Sequence, residues 1–431
     1  MMNPAWNWQP IGELFRFGAG KTMSAAARTG THKTPFLRTS NVLWDQIDLS
    51  NVDQMAMSPG ELEEKSLRPG DLLVCEGGNI GRAAMWNGQL PLMSFQNHLH
   101  RLRHIHGNVH VRFYVYFLQS AFTQLGLFDG AGNKTTIPNL SRNQLAALRV
   151  PVSPLNEQRA ISDSLRTIRT AIAFRAKAIL LAEELKQATM ARLFTCGLRD
   201  EPQQQTAIGM VPASWHVCTL ADVCKNQGSV VQTGPFGSQL HASDYMAEGV
   251  PVINPTHMAN SRVLHGSLPR VSNTLAENLP RHRLRLGDIL FSRRGDIGRL
   301  ALIDSDSVGS LCGTGCCLVR VDSDRVLSRF LAYLFSTLPL VSWLQDHSAG
   351  IIMPNVNTAV LSRLPVMFPS LDDQQTIVNT LDTLDRSIGL HERKRAILED
   401  LFQSLLFGLM TGKTRVDQLD LSVLPNVGTT P

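Results

Sequence analysis

An internal repeat constrains this chain more than any other feature of its 431 residues. Residues 137–161 read IPNLSRNQLAALRVPVSPLNEQRAI, and residues 352–377 read IMPNVNTAVLSRLPVMFPSLDDQQTI. The two stretches align without gaps at an offset of 216 positions, and the correspondence continues as far as Thr195 and Thr411. A register held over such a length indicates two copies of one structural unit rather than a local motif reused by chance.

Each copy of the repeat leads into a segment that predicts a long helix. Apolar residues recur at helical spacing and then resume one step out of phase. In the first copy they are Leu155, Ile161, Leu165, Ile168, Ile172, Ile179, Leu181, Leu185 and Ala188. In the second copy they are Ile377, Leu381, Leu384, Ile388, Ile397, Leu401 and Leu405. A helix of about 40 residues would be roughly 60 Å long, and so long an apolar stripe needs a partner. We therefore expect the two helices to form an antiparallel pair; two surface helices, each packed on its own domain, are the alternative.

Capping residues and composition set the predicted boundaries. Asn156 and Asp372 are suitable N-caps, and Gly197 and Gly412 stand where a C-terminal glycine belongs. The resulting division has two heads at 1–153 and 204–370, two spacer helices at 154–203 and 371–415, and a C-terminal tail at 416–431.

The two heads share a weaker echo of their own. They are rich in Gly, Pro and Asn, and RPGDLLVCEGGNIGR (68–82) matches RLGDILFSRRGDIGR (285–299). Short alternating runs of this kind predict the α/β (mixed α+β) class. We therefore expect two tandemly duplicated heads with separately varied contents, separated by two long antiparallel coiled-coil-like helices.

Charge and composition indicate the compartment and the kind of partner. The net charge is +5 and is spread through the chain, which favours a broad surface facing a polyanion. There is no long uncharged apolar run for a membrane span, and the start of the chain lacks a secretion signal. Seven cysteines without a framework are typical of a reducing compartment. We therefore expect a cytoplasmic protein that does not use a membrane.

No catalytic motif can be assigned from the sequence. GAGKT (18–22) and GKT (412–414) lack the preceding glycine that a phosphate loop needs. Asn-Pro occurs at Asn3 and Asn254, but neither continues into the second proline of an adenine methyltransferase signature. We therefore expect neither a catalytic residue nor a bound cofactor in this chain.

Three groups of potential metal ligands are better interpreted as structural. Asp71 and Asp288 each follow a glycine in a turn, which favours turn capping over nuclease chemistry. Cys312, Cys316 and Cys317 lack paired spacing and are interpreted as core residues. Four histidines of the segment HLHRLRHIHGNVH share one face of a predicted strand, namely His98, His100, His104 and His106. We interpret that strand as a polar, partly basic surface strand without a metal.

The chain as a whole resembles the type I restriction–modification specificity subunits. The resemblance is carried by Pro-Asn followed by Pro-x-x-Glu-Gln or Asp-Gln-Gln at the start of each long helix. KTPFLRTSNVLWDQIDLSNVDQM (33–55) resembles the first-head pattern of that family, and TGPFGSQLHASDYMAEGVPVI (233–253) resembles the second. The order head–helix–head–helix covers almost the whole chain up to about Val416. Phe36 departs from the pattern, since tyrosine is common there, and the first helix opens with Asn156-Glu157-Gln158 rather than repeating the second.

The resemblance implies a non-catalytic recognition subunit. Two target-recognition domains would each read one half of a split double-stranded DNA sequence, and the helices would set the unread spacer. The implied partners are two modification (methyltransferase) subunits and restriction (translocase/endonuclease) subunits. S-adenosylmethionine, ATP and Mg would be used by those partners and not by this chain. Two alternatives stay open: a self-sufficient DNA adenine methyltransferase with diverged motifs, and a coiled-coil scaffold for proteins.

The candidate DNA-binding residues lie in polar stretches around the predicted turns. In the first head they are Arg38, Thr39, Ser40, Asn41, Asn79, Arg82, Lys134 and Thr135. In the second head they are Ser238, Gln239, Arg293, Arg294 and Arg299, which we place in comparable positions. Arg82 and Arg299 stand at equivalent positions of the two heads, so we expect them to support the scaffold or to bind a phosphate. Arg293 and Arg294 differ from their counterparts Glu76 and Gly77, so they are the better specificity candidates. Solvated loop residues or turn supports are the alternative for each.

Overall fold

The computed structural model describes residues 6–127, 139–226, 228–321, 324–348 and 355–419. The chain forms two compact units. Unit 1 comprises Met1–Lys177 and Glu392–Pro431, and unit 2 comprises Ala178–His391. Each unit therefore contains one head together with a segment of each long helix. The finer division of the chain into heads, helices and tail stays a prediction.

The first head alternates short strands with short helices. Its strands are β1 (Asn7–Pro10), β2 (Phe15–Ala19), β3 (Lys33–Leu37), β4 (Val42–Leu43), β5 (Gln46–Ile47), β6 (Asp53–Ala56), β7 (Leu72–Cys75), β8 (Ala83–Met85), β9 (Ser94–Phe95), β10 (Leu99–His104) and β11 (Arg149–Val152). Its helices are α1 (Ile11–Leu14), α2 (Ala25–Thr29), α3 (Pro59–Lys65), α4 (Val111–Thr123) and α5 (Arg142–Ala147). The long helix α6 (Leu155–Cys196) follows.

The second head has the same alternation. Its strands are β12 (Gln203–Thr206), β13 (Gly209–Pro212), β14 (His216–Thr219), β15 (Val230–Thr233), β16 (Val250–Ile253), β17 (Met258–Ala259), β18 (Arg262–Val263), β19 (Arg270–Val271), β20 (Ile289–Ser292), β21 (Leu300–Leu302), β22 (Leu311–Cys312), β23 (Cys316–Arg320) and β24 (Pro365–Phe368). Its helices are α7 (Leu220–Val223), α8 (Asn273–Glu277), α9 (Ser328–Phe335), α10 (Leu338–His347) and α11 (Thr358–Ser362). The long helix α12 (Leu371–Thr411) follows.

The two heads share one sheet topology. An antiparallel sheet has the order β2-β10-β7-β8 in the first head and β15-β23-β20-β21 in the second. Beside it, β3 pairs antiparallel with β6 and parallel with β9, as β16 does with β19 and β22. β1 pairs with β11, and β14 pairs with β24, so the entry of the chain into each head is hydrogen-bonded to its exit. The predicted mixed α/β class and the tandem duplication of the heads are confirmed.

The long helices pair as predicted, and each also covers a head. In unit 1, Leu165 of α6 and Leu406 of α12 belong to the same core as the largely buried helix α4. In unit 2, Lys186 of α6 contacts Asp385 of α12 at 2.6 Å, and Arg199 just beyond α6 contacts Asp373 at 2.9 Å. Because residues later in α6 contact residues earlier in α12, the pair is antiparallel. The alternative of two unpaired surface helices is wrong.

The starts of the long helices differ from the prediction, whereas their ends do not. α6 begins at Leu155 and α12 at Leu371, so Asn156 and Asp372 lie inside the first turn and are not N-caps. The Ser370 hydroxyl instead accepts a hydrogen bond from the Asp373 N–H at 3.3 Å. Each helix ends before a glycine in the left-handed region, Gly197 at φ 71° and Gly412 at φ 73°.

Most of the second apolar run of each helix does not face the other helix as predicted, although Leu405 of α12 is buried in the core of unit 1. Leu181 and Leu185 in α6 are 52% and 56% exposed, and Ile397 in α12 is 66% exposed. The first run contacts the head and fixes which face is buried. A run that resumes one step out of phase therefore turns toward solvent.

The predicted surface strand is wrong for the strand itself and for His100, whereas His98, His104 and His106 are exposed as predicted, and the cysteine prediction is confirmed. Segment 99–104 is β10, an inner strand of the four-stranded sheet, and His100 is buried with its Nε2 2.9 Å from the Leu140 carbonyl oxygen. The alternation of histidine with Leu99 and Leu102 marks a strand covered on both faces. Cys312, Cys316 and Cys317 are fully buried.

One buried glutamine at the start of each long helix joins that helix to its head. The Gln158 amide donates to the carbonyl oxygens of Asn108 at 3.1 Å and Ser153 at 2.8 Å, and its oxygen accepts from the His110 N–H at 2.8 Å. This amide therefore ties α6 to the segment that enters α4 and to the end of β11.

The second unit repeats this arrangement with the same geometry. The Gln374 amide donates to the carbonyl oxygens of Arg325 at 2.8 Å and Pro369 at 3.0 Å, and its oxygen accepts from the Leu327 N–H at 2.9 Å. Gln158 and Gln374 are both 0% exposed. We call these two residues the joint glutamines.

Replacing a joint glutamine should destabilise its unit strongly. Gln374→Leu leaves three partly buried backbone groups without this partner, so we expect a loss of about 3 kcal/mol or more, given about 1–3 kcal/mol for each unpaired buried group. Urea denaturation followed by tryptophan fluorescence measures the loss. The neighbouring Gln375 is exposed, and Gln375→Leu should change stability by no more than about 0.5 kcal/mol. Equal losses in the two variants would contradict the role of the joint.

Candidate nucleic-acid interface

Four turns meet beside the sheet of the first head. The Gln96 N–H donates to the Leu37 carbonyl oxygen at 2.9 Å, which joins the turn after β9 to the turn after β3. The Glu76 N–H donates to the His98 oxygen at 3.0 Å, and the Glu76 oxygen accepts from the Leu140 N–H at 2.7 Å. We call the segments 38–41, 76–79, 96–98 and 139–140 the first turn cluster.

The same four turns meet in the second head. The Gly313 N–H donates to the Ile253 oxygen, and the Arg293 N–H donates to the Gly315 oxygen, both at 2.9 Å. The Arg293 oxygen accepts from the Val356 N–H, also at 2.9 Å. The segments 254–257, 293–296, 313–315 and 355–356 form the second turn cluster. Both clusters therefore use one backbone framework on which different side chains are mounted.

Each head contains an ion pair with a buried carboxylate, which lies at the end of the two inner strands opposite to the turn cluster. Asp71 is 1% exposed, accepts from the Arg68 N–H at 2.8 Å, and receives two hydrogen bonds from Arg103 at 2.7 and 2.6 Å. The hydrogen bonds that Arg103 donates to Asp71 raise the pKa of Arg103, so this guanidinium stays charged. The predicted turn cap at Asp71 is confirmed. The arginine partner was missed, because only the sheet register brings β7 and β10 together.

The second head repeats the ion pair at equivalent positions. Asp288 accepts from the Arg285 N–H at 2.7 Å, and Arg320 donates to it at 2.7 and 2.6 Å. Arg103 and Arg320 are 217 positions apart, as are Asp71 and Asp288. That shared offset is the signal from which sequence reasoning could have found both pairs.

The candidate residues 38–41 are adjacent in the first turn cluster but differ in accessibility. Ser40 is exposed, and the Arg38 guanidinium pairs with Asp53 at 2.8 Å. Asn41 is only 3% exposed, and its amide donates to the carbonyl oxygens of Asp48 and Asn51, both at 2.9 Å. Asn41 therefore shapes the turn and leaves its neighbours to face outward.

The remaining first-head candidates lie around the second turn of the cluster. Asn79 is exposed at the tip, and its carbonyl oxygen accepts from the Arg82 N–H at 3.2 Å. The tip lies next to the first turn, because a Cβ placed on Gly78 would be 3.9 Å from the Thr39 hydroxyl oxygen. Lys134 and Thr135 lie outside the described residues. The structure thus brings 38–41 and 77–79 together, although they are far apart in the sequence.

Ser238 and Gln239 do not occupy the place in the second head that we expected. They lie in a short turn at Gly237–Gln239 between β15 and β16, whereas 38–41 follows β3. The structural counterpart of 38–41 is 254–257, where the Asn254 N–H donates to His257 Nδ1 at 3.1 Å. Sequence reasoning missed this turn, although Pro35 and Pro251 stand at the repeat offset of 216.

The second cluster is the more basic of the two. Arg294 is exposed, and the Arg293 guanidinium lies 6.0 Å from the centroid of the Phe236 ring, which is 59% exposed. Among the described residues, no partner accepts a hydrogen bond from the buried Nε of Arg293. Arg299 instead donates to Asp296 at 2.7 Å and to the Pro255 oxygen at 3.1 Å, so it braces two turns of the scaffold.

A cavity of about 430 Å³ opens beside the first turn cluster. Its lining combines apolar and polar side chains, which are Met23, Arg28, Phe36, Arg38, Asp53, Gln54 and Gln96. Amide and guanidinium groups of this kind match the donor and acceptor pattern of base edges. Lys21 lies nearby, and its hydrogen bond lowers the pKa of Glu61 to about 2, so that carboxylate stays charged.

Metal and membrane sites find no support in the described part of the chain. Within it, no group of three or more His, Cys, Asp or Glu side chains could hold a metal ion. Burial raises the pKa of Cys317 to about 12, which keeps that thiol protonated at neutral pH. No described helix is both long and apolar enough to cross a membrane.

Comparisons with known proteins agree on one family. The family model described as the type I restriction modification DNA specificity domain matches residues 4–183 and 212–400. The putative type I restriction enzyme MjaX specificity subunit of Methanocaldococcus jannaschii is 23% identical over 390 residues, covering 89% of this chain and 87% of the relative. The type I restriction enzyme EcoBI specificity subunit of Escherichia coli is 22% identical, covering 82% and 76%.

A solved structure shows the same fold. The S subunit of a type I restriction–modification system from M. genitalium superposes with a TM-score of 0.59 at 15% identity. The superposition covers 95% of this chain and 98% of that one. At this identity the likeness concerns the arrangement of heads and helices and not the residues of the turn clusters.

Removing the buried carboxylate of Asp288 should destabilise the second head. Asp288→Asn keeps an acceptor for the Arg285 N–H but leaves the Arg320 guanidinium without a counter-charge and with only the Arg283 carbonyl oxygen as a full-strength acceptor, so we expect a loss of about 3–5 kcal/mol in the free energy of unfolding. Asp296 is 63% exposed in its pair with Arg299, and Asp296→Asn should cost no more than about 1 kcal/mol. Guanidinium denaturation of both variants tests this difference. An Asp288→Asn variant that loses no more free energy of unfolding than Asp296→Asn would refute it.

Proposed function

Because the chain belongs to the type I restriction–modification DNA specificity family, we propose that it reads a bipartite double-stranded DNA target, one half-site with each head. The observation that carries the proposal is the pair of turn clusters, in which one buried framework presents different polar side chains in the two heads. A common framework with varied tips suits two related readers of different half-sites.

The exposed tips provide the chemistry that base recognition needs. An arginine that donates two hydrogen bonds to a guanine edge is the commonest specific contact in the major groove, and asparagine pairs similarly with adenine. Arg294 at the second cluster and Asn79 at the first are both exposed. We assign base reading to these two, phosphate contacts to other basic residues around the clusters, and turn support to Asn41 and Arg299.

The long helices are proposed to set the unread spacer. α6 has 42 residues and α12 has 41, so the two are nearly equal in length. Each begins at a joint glutamine that holds it to its own head. Because each head is fixed to its helix in this way, the length of the helix would determine where the half-site of that head lies.

Duplicated apolar positions on the helices support docking of two identical partners. Phe174 and Leu390 are 50% and 44% exposed, Leu181 and Ile397 are 52% and 66% exposed, and Leu185 and Leu401 are 56% and 37% exposed. Each pair is separated by 216 residues. Within each helix the three positions fall on one face. We propose that two modification subunits bind there and that restriction subunits join the complex they form.

Catalysis is proposed to reside in those partners, in a cytoplasmic complex. The modification subunits would use S-adenosylmethionine, and the restriction subunits would use ATP and Mg. In this division of labour the chain contributes recognition and assembly and binds no cofactor of its own.

The arginine at the tip of the second cluster should discriminate bases. Arg294→Ala in the complex with the modification subunit is expected to weaken binding of the recognised DNA by about 5- to 150-fold, because one bidentate arginine–guanine contact contributes about 1–3 kcal/mol. Fluorescence anisotropy with DNA altered in one half-site at a time measures the loss. Only the half-site read by the second head should lose its preference.

A salt series separates this expectation from other functions. A phosphate contact would weaken every sequence equally and reduce the salt slope by about one, which would contradict base reading by Arg294. A protein scaffold would show no salt-dependent affinity for DNA. Arg192→Ala is the control, since Arg192 is 70% exposed on α6 and pairs with Asp200 outside the turn clusters.

Charging the duplicated apolar positions should block assembly. Leu181→Lys with Ile397→Lys is expected to abolish copurification with the modification subunit and adenine methylation, because lysine cannot be desolvated in an apolar interface. The thermal midpoint of the free chain should be unchanged, since both side chains face solvent. Gln187→Lys with Gln403→Lys, on another face of the same helices, is the control. A reaction without the modification subunit should yield no methylated adenine, and methylation there would favour the self-sufficient enzyme.

A further inference from the structure

A cluster in unit 1 joins the head to both long helices. The Asp45 carboxylate accepts from Arg112 at 2.9 Å and from the Tyr116 hydroxyl at 2.6 Å. The Tyr116 ring lies 6.2 Å from the ring of Phe402 on α12, and the guanidinium of Arg169 on α6 lies 5.4 Å from the same Phe402 ring. These five residues form the first junction.

A second junction stands at the equivalent place in unit 2. The Tyr333 hydroxyl oxygen lies 2.5 Å from a carboxylate oxygen of Asp382 and 2.7 Å from one of Asp385, both on α12, and its one hydrogen is shared between them. Arg329 donates to Asp382 at 2.8 Å, and Lys186 of α6 donates to Asp385 at 2.6 Å. Lys186 also lies over the Tyr333 ring at 5.4 Å.

The repeat register aligns the two junctions residue by residue. The head residues are the same, since Arg112 corresponds to Arg329 and Tyr116 to Tyr333. The helix residues are not, since Arg169 of α6 corresponds to Asp385 of α12. Lys186 of α6 likewise corresponds to Phe402 of α12. The second head also lacks the carboxylate of Asp45.

A pair made from two copies of one helix would be mismatched at these positions. In the observed antiparallel register, residue 169 lies against residue 402, and residue 186 lies against residue 385. Two copies of α6 would therefore set Arg169 against Lys186, beside Arg112. Two copies of α12 would set Asp385 against Phe402, so a carboxylate that is only 13% exposed would lose Lys186 and keep only the longer contact with Arg329 at 3.7 Å. Only α6 with α12 avoids both mismatches.

We propose that the two junctions form a charge code by which α6 and α12 select each other and reject a second copy of themselves. The code makes the chain present its two different heads, and it excludes assemblies that pair two copies of the same head. This inference concerns helix pairing and does not depend on DNA recognition.

The code can be erased in the full-length chain with two substitutions. Arg169→Asp with Phe402→Lys gives both helices an aspartate and a lysine at equivalent positions, copied from the existing Asp385–Lys186 pair. The intramolecular pair should survive, but pairing of identical helices from two chains is then no longer penalised. For the wild type and for the variant separately, two copies of the chain that carry different affinity tags are coexpressed and purified on both tags in turn. Native mass spectrometry should show a mixed dimer that is at least about tenfold more abundant for the variant.

Single and matched variants make the outcome decisive. Phe402→Lys alone sets a lysine against Arg169 and should lower the thermal midpoint. Adding Arg169→Asp should raise the midpoint again but not to the wild-type value, because Arg169 also donates to Gln119 and to the Trp44 carbonyl oxygen. Arg166→Asp with Ser404→Lys changes the charge equally at exposed positions of the same helices and should behave as wild type. Two chains can also exchange helices so that α6 of one chain pairs with α12 of the other. Such dimers need no change of code and would appear equally with the wild type and all variants. A double variant that forms no more mixed dimer than wild type, or that has a lower midpoint than Phe402→Lys alone, would overturn the proposal.

Discussion

The arrangement of each unit depends on one buried side-chain amide. Gln158 and Gln374 each satisfy three backbone groups that no strand or helix supplies with a partner, and both are 0% exposed. A head could not turn on its helix without leaving those groups unpaired in an apolar surrounding, at about 1–3 kcal/mol each. An aliphatic residue would fill the space, but it makes no hydrogen bonds and would not fix the orientation of the head on its helix. The amide makes the contact between head and helix a fixed angle as well as a packed surface.

The two heads have the same ion pair with a buried carboxylate and differ in their exposed charges. The ion pairs Asp71–Arg103 and Asp288–Arg320 join the two inner strands of the sheet in the same way in both heads. Because each pair lies at the end of those strands opposite to the turn cluster, the tips of the cluster can differ without disturbing it. Glu76 and Gly77 in one head and Arg293 and Arg294 in the other occupy a common backbone and present opposite charge. Variation is thus concentrated where it costs little stability and changes recognition most.

Sequence reasoning reached the duplication, the mixed fold class, the long antiparallel helices and their glycine ends, because each has a periodic or local signal. It failed where tertiary contacts decide. The apolar run of Leu181 and Leu185 has the spacing of a buried face, but the head determines which face is covered. His100 has the polarity of a surface residue, yet it lies in an inner strand. The turn at 254–257 lacks the sequence of 38–41, and only strand pairing shows that the two are equivalent.

The junctions show how a repeat becomes an asymmetric pair. Two identical helices in antiparallel register offer no physical reason to prefer the partner in the same chain over a copy of themselves. Here the arginine and tyrosine of the head are retained in both units, and the counter-charge has changed place: Asp45 supplies it from the head in unit 1, whereas Asp382 and Asp385 supply it from the helix in unit 2. Because Asp45 supplies the carboxylate from the head in unit 1, α6 can carry Arg169 at the position where α12 carries Asp385. The helices then differ in sign at one contact while the packing of both heads is preserved, and that difference is enough to distinguish α6 from α12.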